Sequence, residues 1–240
     1  MKKTVKNLIT WSPSHLITSR KSAFTLAEVL ITLAIIGVVA AMTIPTLTAN
    51  YKKKLTETRL LNGYSALSQA VQLSTVDYGP TNTWDSFGPS WTSTATYDDI
   101  KAWYDKYLAK YLRSQKVEKA QDSEDLVVYL LDGSALQFRY YGSDVYFYPE
   151  AKFVGVREDG VNSFKFWIGV EEHLSQDLRA KYYPKNGIDT YSFAWDGTYE
   201  GAKYSTLDPA YGCYQDYHAL CAKLIQLNGW KIPEDYPFNF

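Results

Sequence analysis

The sequence predicts an α+β protein in which a long N-terminal helix, transmembrane at first and amphipathic after, lies against an antiparallel β-sheet. Three observations carry that expectation. An apolar run from Val29 to Ile44 is broken only by Thr32, Thr43 and small residues, apolar side chains recur at helical spacing from Leu61 to Val71, and β-rich runs joined by Asp-Gly pairs come after Leu126. Helices first and strands later is the order of a segregated α+β fold rather than of alternating βαβ units. The chain has 240 residues, 46% hydrophobic, with 14 glycines and 9 prolines, which suffices for one good-sized core and shows no signature of disorder.

Extending the apolar run back through Phe24 to Ala27 gives about the twenty residues that a helix needs to cross a bilayer. Residues 1–23 hold the basic residues Lys2, Lys3, Lys6, Arg20 and Lys21 and no acid, which keeps that end cytoplasmic and sends the remainder of the chain outward. Lys52, Lys53 and Lys54 oppose this orientation from the other side. A secretory signal would share the charge order, but the basic stretch is long and "TIPTLTANYKKK" is a poor small-x-small cleavage site. A cut between Ala23 and Phe24 fits better. Glu28 is the anomaly: a carboxylate at membrane depth costs roughly 2.5 to 3.5 kcal/mol and asks for a cation, unless it sits among headgroups. Pro45 removes a backbone donor and clashes with the preceding turn, so a kink, a melted turn or a plain helix end is expected there.

"AFTLAEVLITLAIIGVVAA", from Ala23 to Ala41, resembles the processing site and first helix of type IV pilins and type II secretion pseudopilins. The resemblance implies that a prepilin peptidase removes the leader after Ala23, where the family usually has Gly, and N-methylates Phe24. It makes Glu28 the family glutamate, a register pin for the amino terminus of a neighbouring subunit. Gly37 and Pro45 fall where the family has its helix glycine and kinking proline. The expected organisation is a basic leader (1–23), a hydrophobic transmembrane and assembly helix (24–50) and an exported pilin-like globular domain (51–240). Implied partners are other pilin or pseudopilin subunits, the prepilin peptidase, an assembly ATPase and an inner-membrane platform. The implied location is the bacterial inner membrane, single-pass with a cytoplasmic N-terminus, and then a periplasmic or cell-surface filament.

Beyond Pro45, Leu61, Tyr64, Leu67 or Ser68, and Val71 predict a helix from about Asn50 to about Asp77 with its stripe on a sheet. Tyr78 to Thr94 is a loop by its Gly, Pro, Ser and Thr content. Tyr97 to Ser114 is a second helix, opened by a Thr96/Asp99 capping box, with Ile100, Trp103, Tyr104, Tyr107, Leu108, Tyr111 and Leu112 on its apolar face. That face is expected to be core rather than a sugar-stacking platform. Leu126 to Tyr141 is a hairpin about Asp132-Gly133, and Val145 to Pro149, Ser163 to Val170 and Thr190 to Gly201 are further strand candidates. The large region between Tyr78 and Ser114 leans towards a minor filament subunit.

Cys213 and Cys221 lie on the exported side, where oxidation favours a disulfide closing a short loop; a reduced metal or redox pair is the alternative. Leu220, Leu224 and Leu227 put Cys221 on a short helix that stops near Gly229, and many pilins similarly close their C-terminal region with a disulfide. No Gly-x-Ser-x-Gly, His-Glu-x-x-His or phosphate-loop motif is present, so an enzyme is not expected. His173 and Asp177 are one helical turn apart but two ligands do not make a metal site. No cofactor, metal or calcium is expected, and the acidic exported part argues against nucleic acid. The competing reading is a membrane-tethered surface module whose 21 tyrosines and 7 tryptophans contact glycans or exported substrates. A secreted hydrolase is a third.

Overall fold

A computed structural model describes residues 24–85, 95–139, 144–169, 181–182 and 186–240. The His173/Asp177 pair, the leader with Ala23, and the loop from residue 86 to 94 lie outside the described residues. Within them the order is α1 (Leu26–Tyr78), α2 (Tyr97–Tyr107), β1 (Ser114–Lys119), β2 (Leu126–Leu130), β3 (Ala135–Phe138), β4 (Asp144–Tyr148), β5 (Phe164–Ile168), β6 (Ile188–Thr190), α3 (Tyr199–Lys203) and α4 (Cys221–Leu227). The chain divides into two units at Pro45, residues 1–45 and 46–240.

In the second unit the six strands form one antiparallel meander in chain order. Strand alternation gives the sheet one face of Val128, Leu136, Phe138, Phe147, Phe164 and Phe166, all buried. Against this face pack Leu60, Leu67, Ala70 and Val71 of α1, Ile100, Trp103 and Tyr104 of α2, and Leu108 just after it. Burying an aliphatic side chain of this size contributes about 1.5 to 3 kcal/mol, so the helical stripe is a principal source of stability. Gly63 sits at the closest approach, where a Cβ would come within 2.2 Å of the Phe147 ring. Leu67 and Val71 of the expected stripe are buried, and only its first turn is displaced. Leu60 is buried, whereas Leu61 is exposed and Tyr64 half-buried, because Gly63 rather than a large side chain marks the line facing the sheet.

The hairpin about Asp132-Gly133 is present. Gly133 has φ +82° and the Asp132 carboxylate accepts from the Ser134 N–H at 3.0 Å, so the pair supplies both the left-handed residue and the local cap of the turn. The Thr96/Asp99 capping box opens α2 as expected. Two expectations need correction. α2 ends at Tyr107 rather than near Ser114, and the residues from Ser114 become β1; pairing with β2 satisfies this backbone and outweighs a helical pattern that Tyr111 and Leu112 prolong in the sequence. Thr190 to Gly201 is not a strand. Only Thr190 belongs to β6, after which Ala194 takes φ 62°, the Asp196 carboxylate accepts from the Thr198 N–H, and the Thr198 hydroxyl caps α3 through Gly201 N–H at 2.9 Å.

The C-terminal part closes over the sheet edge. Lys223, only 2% exposed, donates to Asp189 on β6 at 2.7 Å, and Gln226 bridges Asp189 and Thr190, so α4 is tied to the last strand by buried polar bonds. Burial lowers the Lys223 pKa against the pull of its Asp189 partner. Cys213 and Cys221 form a disulfide at the start of α4. The His218 Nδ1 lies 2.9 Å from the Cys213 carbonyl oxygen, and its ring meets Phe238 edge-on, which spends this histidine on the disulfide loop.

Replacing Gly63 with Val is expected to lower stability by about 1 to 3 kcal/mol, because the closed helix-to-sheet contact has no room for a branched side chain. Chemical denaturation of the detergent-solubilised chain measures this, and an unchanged midpoint would mean that the contact can open at no cost. Replacing both Cys213 and Cys221 with Ser is expected to cost about 2 to 3 kcal/mol by the loop-closure argument for a short ring, read as a fall in the same denaturation midpoint relative to the oxidised chain.

Candidate functional site: the head of the first helix

The head of α1 is built by a local hydrogen-bond motif. The Thr25 N–H donates to Glu28 Oε2 at 2.8 Å, the Thr25 hydroxyl donates to the same oxygen at 2.9 Å, and the Glu28 N–H donates back to Thr25 Oγ1 at 3.2 Å. With α1 starting at Leu26, Thr25 is the N-cap and Glu28 the third helical residue of a capping box. A carboxylate at a helix N-terminus also meets the positive end of the helix dipole. Glu28 therefore does two things at once: it saves the first turn from unpaired donors and finds local partners for a charge that hydrocarbon would otherwise leave bare. Both bonds fall on Oε2.

Sequence reasoning picked out Glu28 by its cost and passed over Thr25. The signal was there, since Thr-x-x-Glu is the same pattern that marks Thr96 and Asp99. Phe24 stands immediately before this motif and is exposed. From Leu26 onward the helix shows its apolar residues to the outside on every side: Leu30, Leu33, Ile36, Val39, Met42 and Ile44 are all exposed. This is the one helix among the described residues that is long and apolar enough to cross a membrane, and none of its apolar stretch is buried. A helix that is apolar all round and unburied requires lipid or other helices as its solvent. Gly37 adds to that surface a point at which nothing would meet a Cβ, and Pro45 lies inside α1 with helix assigned on both sides of it.

The remaining candidates from the sequence resolve into structure. The aromatic face of α2 is core: Trp103, Tyr104 and Tyr107 are buried, and Tyr107 stacks on Trp84 at 4.5 Å. A polar cleft of about 320 Å³ opens on the outer sheet face beside Gln137, Arg139 and Arg157. Its floor is bonded to itself. Gln137 donates to Asp125 at 2.5 Å and accepts from the Tyr148 hydroxyl at 2.7 Å, and Arg139 pairs with Asp125 at 3.2 Å. Such a network rigidifies the outer sheet face, and it contains no nucleophile set against a base.

No curated protein and no solved structure matches the chain. Residues 18–44 match the prokaryotic N-terminal methylation motif, the signature of prepilin-type cleavage in type IV pilins and pseudopilins, so the chain is pilin-like at its head as well as in its α+β layout. Residues 46–240, four-fifths of the sequence, match the family described as "Family of unknown function (DUF6613)", and the chain belongs to that family.

Proposed function

We propose that the chain is a prepilin-like structural subunit of a type IV pilus or a type II secretion pseudopilus, cut between Ala23 and Phe24, N-methylated at Phe24 and polymerised through its N-terminal helix. The observation that carries this reading is the Phe24-Thr25-Glu28 head set on a helix whose apolar residues are exposed all round. A tether alone would need an apolar helix, but neither a cleavage site in front of it nor a carboxylate held at its first turn.

The reading accounts for Glu28 in two states. In the single subunit the capping box holds the carboxylate, which lowers the cost of placing it in lipid. In the filament the cut exposes the Phe24 amine, and Glu28 of one subunit neutralises the amine of another in a low-dielectric bundle of helices. The residues after Pro45 then form the exported domain, and Pro45 is where the anchor bends as a subunit leaves the bilayer. Chain insertion needs no nucleotide site in this protein, because an external ATPase and a platform protein supply the work.

Intact-mass and N-terminal peptide analysis of the protein from native membranes is expected to show a chain beginning at N-methylated Phe24. A chain that keeps residues 1–23, or one cut after the apolar run, would refute the proposal. Glu28→Gln is expected to insert into the membrane and fail to enter filaments, since stripping one partner from a buried charge pair costs roughly 3 to 5 kcal/mol. The ratio of subunit in sheared filaments to subunit in membranes measures it, and an unchanged ratio would remove Glu28 from assembly.

A further inference from the structure

We propose that Lys54 and Lys231 form a seat for the phosphate of an anionic phospholipid headgroup on the exported side of the membrane. The proposal rests on the reading of residues 24–50 as a membrane-spanning helix.

Two lysines from distant parts of the sequence share one buried carboxylate. Lys54 Nζ lies 3.6 Å and Lys231 Nζ 3.3 Å from the same Oε2 of Glu57, while the other oxygen, Oε1, accepts from the Ile232 N–H at 3.0 Å. Glu57 is nearly fully buried, whereas the two lysine side chains are 64% and 56% exposed. One carboxylate balances one ammonium, so the pair carries a net positive charge, held in place by the backbone bond to Ile232. Two ammonium groups set against one carboxylate are a crowding of like charge. An anion that bridges both ammonium groups from the solvent side relieves it.

Position argues for a lipid rather than a soluble anion. Lys54 comes seven positions after Leu47, an exposed apolar residue of α1, with the exposed ring of Tyr51 between them. Tyr followed by Lys at the end of an apolar helix is the pattern of a membrane-water interface. Lysines on the exported side weaken the orientation signal of the leader, so three in a row need a compensating role. Lys53 is engaged by the Pro233 carbonyl at 3.4 Å, and Lys52, two positions from Lys54 and so on another side of α1, lies beside a small cavity lined also by Glu150, Lys152 and Glu158. Lys152 is itself paired with Glu150 at 2.6 Å, and Lys54 and Lys231 are the two cations that meet at Glu57.

The test uses the full-length chain in neutral detergent, offered phosphatidylglycerol or phosphatidylcholine, with retained lipid counted by native mass spectrometry. The wild type is expected to retain phosphatidylglycerol preferentially. Lys54→Gln with Lys231→Gln is expected to lose roughly thirtyfold of that preference, from about 1 kcal/mol per lysine near an anionic surface. Because that variant leaves Glu57 unpaired, Lys231→Gln alone, which keeps the Lys54–Glu57 pair, is measured beside it and should lose part of the preference. Lys54→Arg with Lys231→Arg should keep it. Equal retention of the two lipids by the wild type, or full preference in both Gln variants, overturns the proposal. So does displacement of phosphatidylglycerol by equimolar inorganic phosphate, which would make the seat one for a free anion. Incorporation into pure phosphatidylcholine vesicles separates the two readings. A chain that does not incorporate refutes the membrane span, and one that incorporates without an anionic preference refutes only the seat.

Discussion

The seating of Leu60, Gly63, Leu67, Ala70 and Val71 on the sheet is the contact on which the rest of the exported unit depends. A helix can approach a sheet closely only where a side chain is missing, and Gly63 supplies that gap opposite Phe147. The choice costs helix propensity, about 1 kcal/mol for a glycine in a helix interior. In return it fixes the rotation of α1 about its axis. Once that rotation is set, Glu57 faces the C-terminal segment and accepts from Ile232, and Arg59 reaches the Pro149 carbonyl at 2.8 Å and the Asp132 carbonyl at 3.1 Å. The meander and the C-terminal segment are thereby referred to one helix face, and a one-residue turn of α1 would break all three connections.

The same helix meets a different demand in residues 24–45, which no described residue of the chain buries. There the constraint is that every polar group must be satisfied within the segment. Thr25 and Glu28 satisfy the first turn, the Thr32 hydroxyl donates to the Val29 carbonyl at 2.9 Å, and the Thr43 hydroxyl to the Val39 carbonyl at 3.0 Å. The polar residues of the apolar stretch thus turn back onto the helix backbone. The single ionisable one is placed at the end where the helix dipole favours it. A charge that looks like a defect in the apolar pattern is part of how the pattern begins.

The features legible in the sequence are legible for local reasons. The apolar run, the Thr96/Asp99 box, the Asp132-Gly133 turn and the short helix before Gly229 are each decided within a few residues, so composition and spacing suffice. Leu67 and Val71 are legible from the helical period, but the first turn of the stripe is not, because Leu61 fits that period as well as Leu60 and Gly63 do, and only the sheet distinguishes them. The end of α2 is hidden because Lys110 to Arg113 suit a helix, while the ladder with Leu126 to Leu130 is a long-range matter. Thr190 to Gly201 reads as aromatic and β-rich, yet Tyr191 and Phe193 are buried in an irregular segment against Leu220. Aromatic content there measures burial and not strand.

The head of α1 is legible for another reason: its residues answer to a chemistry outside the folded domain, so they appear in the sequence without tertiary encoding. That also explains why the 195 residues after Pro45 carry so few signs of their own task. Their polar clusters are turned inward, Lys223 to Asp189, Gln137 to Asp125 and Glu57 to Ile232, each partner satisfying the other. Groups so engaged hold a shape. Lys54 and Lys231 depart from that rule, being two exposed cations set against one buried anion. The imbalance sits on the helix a few residues past its apolar stretch, so its compensation is to be sought at the membrane.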